Sequence, residues 1–236
     1  MEAWQRRGGP ARGSVEGRSV RVLVLGEPGC GKSSLVHFLE HREGAGARPL
    51  ESTVGFRLVV LPVRGDGGGQ GYVELLEVGG HDIPHAPRSL LYQNIDGVLL
   101  VHDVTVRASL ASLKRWASEA AAAGTFTRRG GAPGAGYLWG LPVPTLVVGN
   151  KTDLLRGGSA AGAGREGATG ALLASLTGLA GRLRGAGGRK RQKAAAGGGL
   201  LPQLETGVQG EVKTAARLGQ GDLRLFDAFF KGLLLA

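Results

Sequence analysis

The chain has 236 residues, a hydrophobic share of 42% and a formal net charge of +10, enough to bury the core of one α/β domain with some length to spare. Its 44 glycines are unevenly placed, and its single cysteine, Cys30, excludes a disulfide framework. The apolar runs are strand-sized and interrupted, which excludes a membrane-spanning helix within this sequence.

The first 18 residues, with Arg6, Arg7, Arg12 and Arg18, are expected to be a basic flexible tail. The nearly unbroken apolar run Ser19–Leu25 predicts a strand covered on both faces. A Gly-rich turn follows, and then a helix from about Lys32 to His41 with Leu35, Val36, Phe38 and Leu39 on its apolar face. Residues 56–63 and 72–78 predict two strands joined at the Gly-rich 65–71, a β-hairpin. Gly97–Val104 predicts another buried strand, Ser109–Ala123 a helix with Leu110, Leu113 and Trp116 on one face, and Val143–Val148 a further strand. Ala171–Leu183 is a candidate fourth helix, and Leu223–Leu235 an amphipathic closing helix. Strands alternating with helices predict an α/β fold with a mostly parallel six-stranded sheet, one antiparallel edge and helices on both faces. The domain is expected to run from 19 to 236, interrupted by Gly-rich inserts at about 124–142 and 156–199.

Three segments carry chemistry. Gly26-Glu27-Pro28-Gly29-Cys30-Gly31-Lys32-Ser33 has the spacing of a P-loop and sits between a buried strand and a helix. Glycines let successive N–H groups, with those of Gly29, Cys30, Gly31 and Ser34 among them, curl around phosphate oxygens at a helix N-terminus. Lys32 would reach the β- and γ-phosphates, and the Ser33 hydroxyl would ligate Mg²⁺. Pro28 has no N–H and stiffens the loop beside the γ-phosphate position.

Asn150-Lys151-Thr152-Asp153 follows a strand. The Asp153 carboxylate can accept from N1–H and the 2-amino group of guanine; adenine presents neither donor, leaving the acid desolvated and unpaired. Asn150 can tie this segment to the P-loop, and the Lys151 stem can cover the base. Glu77-Val78-Gly79-Gly80-His81 ends the hairpin. Glu77 would hold Mg²⁺ through water, Gly80 would donate its N–H to the γ-phosphate, and His81 is the candidate to orient the attacking water. Thr53, between the first helix and second strand, stands where a switch threonine would ligate Mg²⁺.

Val20–Gly26, Gly31–His37 and Gly97–Asp103 resemble the Rab-like protein 3 group of atypical Ras-superfamily GTPases. The stretch from Trp116 through Gly124-Thr-Phe-Thr and Gly140-Leu-Pro-Val-Pro to Lys151 is more similar still to the plant light-insensitive-period small GTPases. The resemblance covers about residues 18–155. It implies a guanine-nucleotide switch binding GTP and GDP with Mg²⁺, in cytoplasm and nucleus. Glu77 departs from the family's Asp; the pair Gly80-His81 fits the plant relatives, although Ras-like proteins carry Gln at the position of His81. The later guanine loop, usually Ser-Ala-Lys, has only a faint trace at Glu205-Thr206-Gly207.

Hydrolysis is expected to be slow without a partner, because no arginine finger is assignable; the alternative is a GTP-binding scaffold with negligible hydrolysis. Glu2 and the Leu-Leu-Leu-Ala end carry no myristoyl or prenyl signal, so no lipid anchor is expected. Effectors and regulators are not identifiable, and a homodimer is one candidate assembly. The basic residues Arg182, Arg184, Arg189, Lys190, Arg191 and Lys193 are most simply a solvated tract, with a nucleic-acid contact over 182–193 as the alternative.

Overall fold

The structure is a computed structural model and describes residues 14–42, 53–79, 88–127, 138–157 and 208–236. In chain order it contains β1 (Ser19–Leu25), α1 (Lys32–His41), β2 (Phe56–Arg64), β3 (Gln70–Val78), β4 (Gly97–Asp103), α2 (Arg107–Ala123), β5 (Thr145–Asn150), β6 (Val208–Ala215), β7 (Gln220–Gly221) and α3 (Leu223–Leu235).

The strands form one sheet in the order β2-β3-β1-β4-β5-β6-β7. The central pairs β3–β1, β1–β4, β4–β5 and β5–β6 are parallel. The sheet is therefore of the expected doubly covered α/β type, but two particulars differ. It has seven strands rather than six, and antiparallel edges at both ends: β2 against β3, and β7 against β6. The second edge arises because Gly219, with φ 67°, turns the chain back after a short 3₁₀ turn, Ala216–Leu218. A two-residue strand has no periodicity by which it could have been read.

Side-chain alternation explains why the central strands lie inside. Along β1, Val20, Val22 and Val24 join one core cluster, while Leu23 and Leu25 join the other. The first cluster is closed by α1 and α3, the second by α2. In α3, Phe226, Phe229, Phe230 and Leu233 recur at helical spacing and all lie buried. Burying each aromatic ring contributes about 2–3 kcal/mol. Asp222 starts that helix by accepting from the Arg224 N–H at 3.0 Å.

Boundaries shift modestly from the pattern. Helix α2 begins two residues before Ser109. Strand β5 runs to Asn150, which places the segment Asn150–Asp153 directly at its C-terminal end. From the basic N-terminal segment, Val15 is buried, and Gly17 donates to the Gln70 carbonyl at 2.9 Å. From the stretch 124–142, Leu138 and Leu141 enter the core beside α2. The candidate helix Ala171–Leu183, the 156–199 insert from residue 158 onward and the 182–193 basic tract lie outside the described residues.

Candidate nucleotide-binding site

The carboxyl ends of β1, β3, β4 and β5 bring the functional segments together, as expected at a switch point of an open α/β sheet. Between β1 and α1, Gly31 occupies the helix cap with φ 94° and no side-chain cap. The first N–H groups of α1 are thus left for an anion rather than for a serine or aspartate. A Cβ on Gly31 would lie 2.2 Å from the Asn150 Nδ2, so only glycine fits between the phosphate loop and β5. Lys32 is buried, and its Nζ donates to the carbonyls of Gly26 at 2.9 Å and Glu27 at 3.1 Å. This folds the ammonium back over the loop, where a phosphate would meet it.

Three oxygen side chains from three elements meet next to α1. The Ser33 Oγ lies 2.5 Å from Glu77 Oε1 and 2.9 Å from Thr53 Oγ1, and Thr53 Oγ1 donates to the same carboxylate oxygen at 2.9 Å. Glu77 is 1% exposed, and its Oε2 has no hydrogen-bond partner among the described residues. A buried carboxylate oxygen without a donor is unfavourable unless a cation or its water shell satisfies it. The all-oxygen donor set suits a hard ion such as Mg²⁺. Ser33 and Thr53 would ligate the ion, which would offset phosphate charge, and Glu77 is long enough to reach both hydroxyls directly. Gly79 makes this convergence possible. A Cβ there would stand 2.5 Å from the Thr53 carbonyl, so the segment carrying Thr53 crosses the end of β3 only over a glycine.

On β5, Asn150 is 1% exposed and joins three segments. Its Nδ2 donates to the carbonyls of Cys30 and Gly31, each at 3.2 Å. Its Oδ1 accepts from the N–H groups of Lys151 (2.8 Å) and Ala216 (3.1 Å) and from the Thr214 hydroxyl (3.1 Å). Asn150→Ala leaves several of these groups buried and unpaired. Thermal unfolding is expected to show a loss of about 2–4 kcal/mol, and an unchanged melting temperature would contradict this linking role.

Lys151 takes a left-handed backbone (φ 67°), and its Nζ lies 2.6 Å from Asp103 Oδ2. Burial alone would push the Asp103 carboxyl up, but hydrogen bonds from Lys151 and Thr105 outweigh it and hold it below the ordinary aspartate value. Asp153 is half-buried in the turn Thr152–Gly157 that follows.

Sequence reasoning missed two parts of this site. Thr214 and Ala216 close around Asn150; Glu205–Gly207, the faint trace of a later guanine loop, lie outside the described residues. Lys213-Thr214-Ala215-Ala216-Arg217, a hydroxyl and small residues at a strand end, was the available signal. The second missed part is Glu27. Its Oε1 accepts from Arg115 Nη2 at 2.5 Å and from the Trp116 indole N–H at 3.1 Å. Burial raises the Glu27 carboxyl, yet hydrogen bonds from Trp116, Ser112 and Arg115 outweigh it and hold the group below the ordinary glutamate value. Trp116 is core, as expected, but also fastens the phosphate loop to α2. The Arg88 guanidinium stacks 4.7 Å above the same ring and pairs with Glu119 at 2.7 Å. Gly80 and His81 lie outside the described residues.

Comparison with known proteins adds a family. The model of the Ras family matches residues 21–165, more than half the chain and all three motif segments. The chain belongs to the Ras family. Within that family it is similar to "Small GTPase LIP1" of Arabidopsis thaliana, 41% identical over 167 residues, which cover 65% of this chain and 46% of that protein. It is also similar to "Small GTPase-like protein LIP2" of the same plant, 35% identical over 73% of this chain and 54% of the relative. "Rab-like protein 3" of Mus musculus is 32% identical over 57% of this chain and 61% of its own length. The resemblance drawn from the motifs therefore holds. This Ras-family chain spans about half the length of the plant relatives it matches.

Proposed function

We propose that this Ras-family protein binds GTP and GDP with Mg²⁺ and acts as a small GTPase switch, with slow hydrolysis unless a partner assists. The observation that carries the reading is the meeting of Ser33, Thr53 and Glu77 beside the buried Lys32, with Asn150 tying the base-recognition segment to the same loop. In this reading Lys32 and the N–H groups of α1 hold the phosphates, and Asp153 selects guanine. Thr53 comes from the segment preceding β2, so its contact with the ion would depend on the γ-phosphate being present. His81 would orient the attacking water, with charge on the transferred group offset by Lys32 and the metal.

The second reading, a guanine-nucleotide scaffold with negligible hydrolysis, is favoured by the direct contact of Glu77 with both hydroxyls and by Pro28, which stiffens the loop beside the γ-phosphate position. Single-turnover GTP hydrolysis separates the two. The switch reading expects a wild-type rate of about 10⁻⁴ s⁻¹, typical of the unassisted class, and a markedly slower His81→Ala variant. Equal rates for the two proteins would remove His81 from the reaction and leave the scaffold.

A further inference from the structure

Helix α1 carries a second group of metal-competent side chains, at the end opposite Lys32 and Ser33. His37, Glu40 and His41 each offer a ligand atom, and these atoms all lie within 4.8 Å of one another. The i, i+3, i+4 spacing places them on one helical face, and the two imidazole centroids are 4.1 Å apart. Glu40 and His41 are exposed, and His37 is half-buried, so an ion can reach them without opening the fold.

Contacts around His41 and Glu40 orient both side chains. His41 Nδ1 lies 3.1 Å from the His37 carbonyl oxygen. With the proton on Nδ1 donated there, the Nε2 lone pair is left for a metal, which is how outer partners set the tautomer of ligating histidines. Glu40 Oε2 accepts from Arg57 Nη2 on β2 at 3.1 Å and lies 3.8 Å from His41 Nδ1, which steadies the carboxylate beside that imidazole. Arg57 is a like charge for an incoming cation, but it is paired with the carboxylate it neutralises. The last turn of a helix also presents carbonyl dipoles that favour positive charge.

We propose that His37, Glu40 and His41 form a transition-metal site, separate from the oxygen-only Ser33–Thr53–Glu77 centre, whose ion is Zn²⁺. Two imidazoles and one carboxylate are a borderline donor set that takes Zn²⁺ in preference to Mg²⁺, and three protein ligands leave at least one position for water or a further ligand. A bound ion would brace the C-terminal turn of α1, immediately before the segment that leads to Thr53.

The test is calorimetric titration of ZnCl₂ into the full chain kept in excess Mg²⁺, with GDP present, alongside His37→Ala, His41→Ala and Glu40→Gln. One equivalent is expected to bind, with affinity falling on the order of tenfold or more in either histidine variant and less in Glu40→Gln. Histidine side-chain NMR of the wild type gives a second readout independent of variant folding, with the His37 and His41 ring signals expected to shift on adding Zn²⁺. Absence of binding, binding undiminished in both histidine variants, or shifts confined to other histidines would overturn the site. None of these readouts depends on nucleotide hydrolysis, so failure here is distinct from failure of the switch reading.

Discussion

Lys32→Ala is expected to lower GTP affinity by roughly a hundredfold, measured by calorimetry or by displacement of a fluorescent guanine nucleotide. The ammonium is buried and already held over the loop by the Gly26 and Glu27 carbonyls, so little ordering is needed when phosphate arrives. Two charge-assisted hydrogen bonds to phosphate at about 1.5 kcal/mol each amount to about 3 kcal/mol, which is two decades in affinity. The loop itself should persist in the variant, because Asn150 holds the Cys30 and Gly31 carbonyls independently. A correctly folded Lys32→Ala protein that binds GTP as tightly as wild type would remove this lysine from the phosphate site.

Asp153→Asn is expected to have the other large effect, on selectivity rather than on overall binding. The carboxylate offers two acceptors to the N1–H and 2-amino donors of guanine. An asparagine offers one acceptor and one donor, and the donor faces the 2-amino group. Losing one charge-assisted bond and gaining an unfavourable donor pair amounts to about 3–4 kcal/mol, roughly several hundredfold against GTP. Xanthine carries a carbonyl where guanine carries the amine, so the same variant should bind xanthosine triphosphate more tightly than GTP. Competition between the two nucleotides on the variant reads this directly, and unchanged GTP preference would mean that Asp153 does not face the base. Its position supports the assignment: the turn 152–157 begins right after the strand whose last residue, Asn150, is locked to the phosphate loop.

The parts of the site legible in the sequence are those whose chemistry is contiguous. The phosphate loop announces itself because its residues are contiguous and the flanking strand and helix have clear periods. Asn150 was legible by residue type, and the structure adds that its carboxamide uses donors and acceptor together to join β5, the loop and the end of β6. Thr214 and Ala216 were not legible, because the Gly-rich sequence after Arg156 destroys the spacing by which a strand-end motif is recognised. Strand β6 itself, with Gln209 and Gly210 within it, has too weak an alternation to mark its start. The Glu27–Trp116 hydrogen bond spans 89 residues of sequence and depends on α2 lying against the phosphate loop, a property of packing and not of pattern. Glu77 was legible as an acid at the expected metal position. That its longer side chain reaches both hydroxyls at once follows only from Gly79 letting the Thr53 segment cross so closely.

In the proposed function, one loop-and-strand constellation selects a guanine nucleotide. Calorimetric titration of GTP, GDP and ATP into the folded, nucleotide-free full chain with Mg²⁺ present tests it most directly. The geometry predicts saturable one-to-one binding of GTP and GDP and no comparable binding of ATP, with GTP affinity falling when Mg²⁺ is chelated. A folded protein that binds ATP as well as GTP, or neither guanine nucleotide, would contradict it.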